Sequence, residues 1–190
     1  MLPVLETERL VLRSMMASDA ANIQKLASAY EIASNTLTMP HPYPDGAAEV
    51  FISAVRDEME GGESFVFGIT LKGEVIGCIG LHPTTQFNRA EMGYWIGLPY
   101  WGQGYTTEAA AKILEFGFET LELNRIYAAH FTHNPASGRV MQKIGLRYEG
   151  TMRQHYRRFD VYQDTAFYGL LREDYVAIKK GDAAKNGAGG

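Results

Sequence analysis

The sequence predicts an α+β fold: a single mixed, mostly antiparallel sheet flanked by helices. Three observations predict it. Strand-like and helix-like runs follow in the order β α α β β β α β α β β, with a closing helix after them. Two apolar runs, Phe65–Leu71 and Val75–His82, are separated by the turn Lys72-Gly73 and read as a hairpin. The run Thr106–Leu121 carries Ala110, Ile113, Leu114, Phe116 and Leu121 among its apolar positions, the period of a helix laid on a sheet.

Each element has its own signal. Leu5–Arg13 alternates Leu10 and Leu12 with Arg9 and Arg13, as a half-buried strand does. Ser18 or Asp19 caps a short helix with Ile23 and Leu26 on one face. Thr38–Asp45 contains Pro40, Pro42 and Pro44 and is expected to be irregular. A second helix starts at Asp45, spaces Val50, Phe51, Ala54, Val55 and Met59 helically, and stops at Gly61-Gly62. Glu91–Ile96 and Arg125–Thr132 read as strands. Asn134-Pro135 opens a helix, with Asn as N-cap and Pro in the first turn, and Gly145 closes it. Leu146–Leu171 holds two strands, and Arg172–Lys179 is the closing helix. Residues 1–180 form one domain on this reading; residues 181–190, rich in Gly and Ala, are expected to be a disordered tail or an appended remnant.

Composition narrows the function classes. The net charge is −4 and no long Lys/Arg run occurs, so a nucleic-acid partner is not expected. Apolar stretches such as Val75–Leu81 are too short to span a bilayer, and the N-terminus lacks the pattern of a signal peptide. With Cys78 alone, no internal disulfide can form, which suits a reducing compartment, the cytoplasm by default. The five histidines show no metal-ligand spacing, and no metal is expected. Cys78 alternates with apolar residues and reads as packing. Oligomeric state, monomer or homodimer, stays open.

The most informative piece is Tyr94–Glu108, a strand running into a short loop with Gly102 and Gly104 and then at once into a helix. Glycines let backbone approach a ligand, and the free N–H groups of a first helical turn, with the helix dipole, favour a phosphate. An ordinary tight turn would look the same. A dinucleotide fingerprint would need Gly or Ala where Thr107 stands, and the Gly-Lys-Ser/Thr of a Walker loop is absent.

The segment resembles the coenzyme-A pyrophosphate loop of the GNAT N-acetyltransferase superfamily, with Trp101 and Thr106 departing from the general pattern. Trp101-Gly-Gln-Gly-Tyr-Thr-Thr-Glu108 is similar to the branch containing ribosomal-protein N-terminal acetyltransferases. Thr7-Glu-Arg-Leu-Val-Leu-Arg13, Asn134 with Ser137, Lys143-Ile-Gly-Leu146, and Asp164 with Tyr168-Gly-Leu-Leu resemble other segments of that branch in order.

The resemblance implies the GNAT, or acyl-CoA N-acyltransferase, fold and transfer of an acetyl group from acetyl-CoA to a primary amine by direct attack. A protein N-terminal amine is the leading acceptor, a small amine such as an antibiotic, polyamine or amino acid the alternative. A low-turnover acyl-CoA-binding module is the rival from another class. Glu91 is the implied base and Ser137 the implied acid, since the tyrosine slot of many GNAT enzymes holds Met141; water or Tyr105 could serve instead. Implied cofactor contacts are Trp95, Ile96, Gly97, Trp101, Gly102, Gln103, Gly104, Tyr105, Thr106, Thr107, Asn134, Ser137 and Lys143, with a backbone N–H at Ile96 or Gly97 facing the thioester oxygen. Lys112 and Arg139 are further candidates for the phosphate charge. Bland readings stand beside these: Glu91 as a solvated strand carboxylate, Ser137 as a capping residue, the tryptophans as packing. Arg153, Arg157 and Arg158 with Tyr156 could meet an acidic or peptide-like acceptor or merely solvate a hairpin.

Overall fold

The computed structural model describes residues 3–187, with side chains described through Gly181. Eight strands form one sheet in the order β1-β2-β3-β4-β5-β6-β8-β7: β1 Leu5–Glu6, β2 Val11–Arg13, β3 Phe65–Leu71, β4 Glu74–Thr84, β5 Arg89–Ile96, β6 Arg125–Phe131, β7 Arg147–Arg158 and β8 Val161–Leu171. Every neighbouring pair is antiparallel except β5 and β6. The expected single mixed, mostly antiparallel sheet is therefore present.

Helices α1 (Ala20–Ala27) and α3 (Ala47–Glu60) cover one face, and α4 (Tyr105–Glu115) and α5 (Pro135–Lys143) the other. The core is thickest under α4. There Ala109, Ala110, Ile113 and Leu114 meet Phe67, Ile79, Leu81 and Ile126, all buried. Burial of these side chains against the sheet is the main favourable term, at roughly 25 cal/mol per Å² of apolar area removed from water. No described helix is long and apolar enough to cross a membrane.

Several elements depart from expectation. The expected strand Leu5–Arg13 is two short strands, because Thr7 N–H donates to the Leu10 carbonyl at 3.0 Å while the Thr7 hydroxyl accepts Leu10 N–H at 3.0 Å, folding the chain into a turn. Asp19 does not cap α1. It caps the preceding 3₁₀ turn, accepting Met16 N–H at 2.7 Å and both prongs of Arg13 at 2.7 and 2.9 Å. A short helix α2 (Tyr30–Ala33), which no sequence signal announced, precedes the proline loop. Helix α3 begins at Ala47 rather than Asp45, because Gly46 takes a left-handed φ of 80° ahead of it. Helix α4 ends at Glu115, and Phe116–Thr120 continues as one wider π turn. The closing helix α6 (Arg172–Gly187) runs past Lys179 through most of the expected disordered tail. Residues 188–190 lie outside the described residues.

Candidate active site

The site is made by a parting of strands. The parallel pairing of β5 with β6 covers only Arg89–Glu91 against Arg125–Tyr127, whereas β6 stays paired with β8 as far as Phe131. Beyond Glu91 the two strands separate. Helix α4 follows β5 and α5 follows β6, so both helix N-termini stand at the open end of the gap. A cleft of about 990 Å³ runs from there across the sheet to α3 and the proline loop.

Backbone donors line the gap. Gly97 N–H is committed to the Ile76 carbonyl at 2.9 Å, which removes Gly97 from the two expected oxyanion donors. The antiparallel alternation then turns the N–H groups of Ile96 and Tyr94 toward the open side. Gly97 has a packing reason instead: a Cβ there would meet Leu26 Cδ2 at 2.7 Å. Trp101 folds back so that its indole donates to the Ile96 carbonyl at 2.8 Å, pinning the loop to the strand end.

The loop itself is an anion cradle. Gly102 and Gly104 take φ of 73° and 82°, values that favour glycine. Among the described residues, the N–H groups of Gly102 through Thr107 find no protein acceptor; the first satisfied one is Glu108, bonded to the Gly104 carbonyl at 3.0 Å. Trp101, Gly102, Gly104, Thr106 and Thr107 line the cleft. The side chains of Gln103 and Tyr105 do not: Gln103 donates to the Pro99 carbonyl (2.9 Å), and the Tyr105 ring lies 4.5 Å from the Arg9 guanidinium carbon.

The Thr7-Glu-Arg segment explains itself here. Thr7 hydroxyl (2.6 Å), Arg9 N–H (2.8 Å) and the Arg9 guanidinium (2.7 Å) all donate to Glu108, and Arg9 also donates to the Gln103 carbonyl (3.0 Å). Partial burial works against the Glu108 charge, but these donors outweigh it and hold the carboxyl below its ordinary range. The clamp fixes the first turn of α4 from the far edge of the sheet.

On the other side of the gap, Asn134 caps α5, its Oδ1 accepting Ser137 N–H at 3.4 Å. Ser137 Oγ is 2.8 Å from the hydroxyl of Tyr94, which also lies 3.2 Å from the Ser137 carbonyl. Burial pushes the Tyr94 phenol up to about 12, so it keeps its proton. Tyr94 was not singled out by sequence, because a strand tyrosine beside a tryptophan reads as core. Met141 is buried at 1% exposure and packs in the core, so the position where the resemblance looks for a tyrosine does not line the cleft. His130 also lines the cleft; its Nδ1 points at the Phe131 carbonyl (2.8 Å), and its buried Nε2 has no protein partner.

Glu91 is exposed at the fork of the strands, 3.4 Å from the Tyr127 hydroxyl. Burial first, and the Glu91 charge second, push the Tyr127 phenol up. Arg139 and Lys143 line the cleft from α5, whereas Lys112 pairs with Glu115 at 2.9 Å outside it. Trp95 packs with the clusters under α1 and α3, on the face away from α4, so its side chain belongs to the opposite end of the cleft from the loop. Arg158 donates to the carbonyls of Ala33 and Met39 and ties the β7–β8 hairpin to the proline loop; Arg157 pairs with Asp160 at 2.9 Å. Among the described residues no group of His, Cys, Asp and Glu is placed to hold a metal.

Comparison with known proteins agrees with this geometry. The family described as Acetyltransferase (GNAT) domain matches residues 9–147. The N-acetyltransferase YoaA of Bacillus subtilis is 33% identical over 177 residues, covering 90% of this chain and 98% of that protein. The ribosomal-protein-serine acetyltransferase of Escherichia coli is 30% identical over 111 residues, 58% of this chain and 62% of that protein. The crystal structure of a GNAT-family acetyltransferase from Bacillus anthracis superposes with a TM-score of 0.80 at 25% identity, over 90% of this chain and 99% of that one. With the strand fork, the loop and the capped second helix in their places, the chain belongs to the GNAT family of acetyltransferases.

Proposed function

We propose that the protein moves an acetyl group from acetyl-CoA to a primary amine by direct attack within a ternary complex, with a polypeptide N-terminus as the leading acceptor. One observation carries the reading: a single cleft joins the unpaired N–H groups of Gly102–Thr107 to a carboxylate, Glu91, at the strand fork. The N–H groups suit a pyrophosphate. Asn134 has its amide free for the pantetheine arm, and Arg139 and Lys143 offset phosphate charge. The sequence likeness to a ribosomal-protein-serine acetyltransferase supports the N-terminal acceptor.

The roles follow from the chemistry. An N-terminal amine has a pKa near 8, so part of it is protonated at neutral pH. Glu91, directly or through water, accepts the amine proton as the C–N bond forms. Ile96 N–H faces the carbonyl oxygen. As the C–S bond breaks, Ser137 gives its hydroxyl proton to the sulfur, Tyr94 resupplies Ser137 across 2.8 Å, and the phenol regains its proton from solvent as CoA leaves. The unpaired thiol Cys78, pushed up by burial, takes no part and suits a reducing cytoplasm.

The test is a mass-resolved acetylation screen with acetyl-CoA across N-terminal peptides and small amines. Product on at least one amine class is expected. Binding of acetyl-CoA with no product on any amine would favour a binding module instead.

A further inference from the structure

The acceptor end of the cleft has a floor of bare backbone. On the sheet face toward α3, β4 and β5 present three facing pairs: Cys78 with Trp95, Gly80 with Gly93, and His82 with Glu91. The middle pair has no side chains, so a trough lies between the indole and the carboxylate, and all six residues line the cleft.

The two glycines have different reasons. At Gly80 a Cβ would meet the Phe65 carbonyl at 2.8 Å, so packing of β3 demands glycine. At Gly93 the nearest atom to a Cβ is His82 Nε2 at 3.9 Å, and its φ is not left-handed. Neither packing nor backbone conformation accounts for Gly93. A glycine inside a strand is less stable than a residue that fills the site. What a side chain at Gly93 would occupy is the trough.

The walls say what fits. Phe51 and Val55 of α3, Tyr43 of the proline loop and Trp95 are apolar or aromatic faces. Charged residues lining this half are Glu58 and Glu91, whereas the lining cations Arg139 and Lys143 belong to α5. The trough centre lies about 6.6 Å along the strand from Glu91, two residues at ~3.3 Å each.

We infer that the Gly80–Gly93 trough seats a planar apolar group of the acceptor, carried about two carbons from the amine that Glu91 receives, and that acidic acceptors are rejected. This deepens the acetyltransfer reading and rests on it. The shared chemistry is that of an aromatic first residue of a polypeptide, or of a free arylalkylamine.

The experiment compares initial rates on phenylalaninamide, glycinamide and glutamic acid α-amide, with short peptides beginning in Phe, Gly and Glu as a second arm. Phenylalaninamide is expected to exceed glycinamide in kcat/KM by about tenfold or more, the range one apolar pocket commands. Glutamic acid α-amide should be the poorest. Gly93→Val should collapse the Phe-to-Gly ratio by a similar factor, with Gly93→Ala as the milder variant if valine impairs folding. Faster turnover of the Phe peptide assigns the trough to a polypeptide; faster turnover of the free amide assigns it to a small molecule. Glycinamide matching phenylalaninamide, or a ratio unmoved by both variants, overturns the inference. If no amine is acetylated, the enzyme reading fails, and saturation-transfer NMR with phenethylamine decides the trough by itself: binding to the native chain lost in Gly93→Val supports it, no binding refutes it.

Discussion

At the residue scale the proposed chemistry turns on three oxygens. Glu91 stands at the fork, and Ser137 faces the cleft with Tyr94 behind it. Glu91→Gln should lower kcat by about 10² to 10⁴, the usual worth of a placed general base, with the acetyl-CoA Kd unchanged. Steady-state kinetics across pH check this; equal turnover at every pH would remove Glu91 from the reaction. Tyr94→Phe keeps the ring and loses the hydroxyl, so kcat should fall about tenfold while the KM for acetyl-CoA holds. Equal kcat would leave the pair a packing contact. Glu91 and Ser137 were legible only through family resemblance, since a lone carboxylate and a helix-start serine are ordinary by themselves. Tyr94 was not legible, because its partner lies 43 positions on and only the fold brings them together.

Among elements, the loop after β5 depends on the opposite edge of the sheet. Arg9 and Thr7 converge on Glu108, 99 and 101 positions on in sequence. Glu108→Ala should cost about 1 kcal/mol of stability, the scale of a half-exposed charged network, and weaken acetyl-CoA binding by loosening the first turn of α4. Urea unfolding and calorimetry check the two effects separately. The hairpin at Lys72-Gly73, the periodic α4 and the Asn134-Pro135 start were readable because each rests on local chemistry: a turn, a 3.6 period, a cap. The break between β1 and β2 was not. It comes from one threonine hydroxyl competing for backbone groups, which alternation of apolar residues does not report. Helix α2 is four residues long and carries no period to read.

For the whole molecule, order in the sheet was the least legible feature. Chain order suggests neighbours, yet β8 inserts between β6 and β7, and β5 parts from β6 after three residue pairs, which only the assembled sheet reveals. Global stability also carries a sign in pH. Asp19, against its burial, is held below its ordinary value by Arg13 and Met16 N–H; Glu149 is held down by Arg125. Glu108 behaves likewise. A carboxylate depressed in the folded state contributes stability that is present above its unfolded pKa, near 4, and is lost as pH falls through the folded value. Unfolding free energy should therefore be flat from neutral pH to about 5 and drop steadily below about 4. Urea titrations at a series of pH values check this, and a flat profile to pH 2 would contradict it. Phe67→Ala, at the centre of the core with 0% exposure, should cost about 3–5 kcal/mol.

The most direct measurement is single-turnover mass spectrometry with the purified chain, acetyl-CoA and the amine panel, run for the native sequence and Glu91→Gln. Acetyl transfer to a primary amine by the native chain, slowed at least a hundredfold in the variant, is the predicted result. Tight acetyl-CoA binding with no amine acetylated, or equal rates in the two chains, would contradict it.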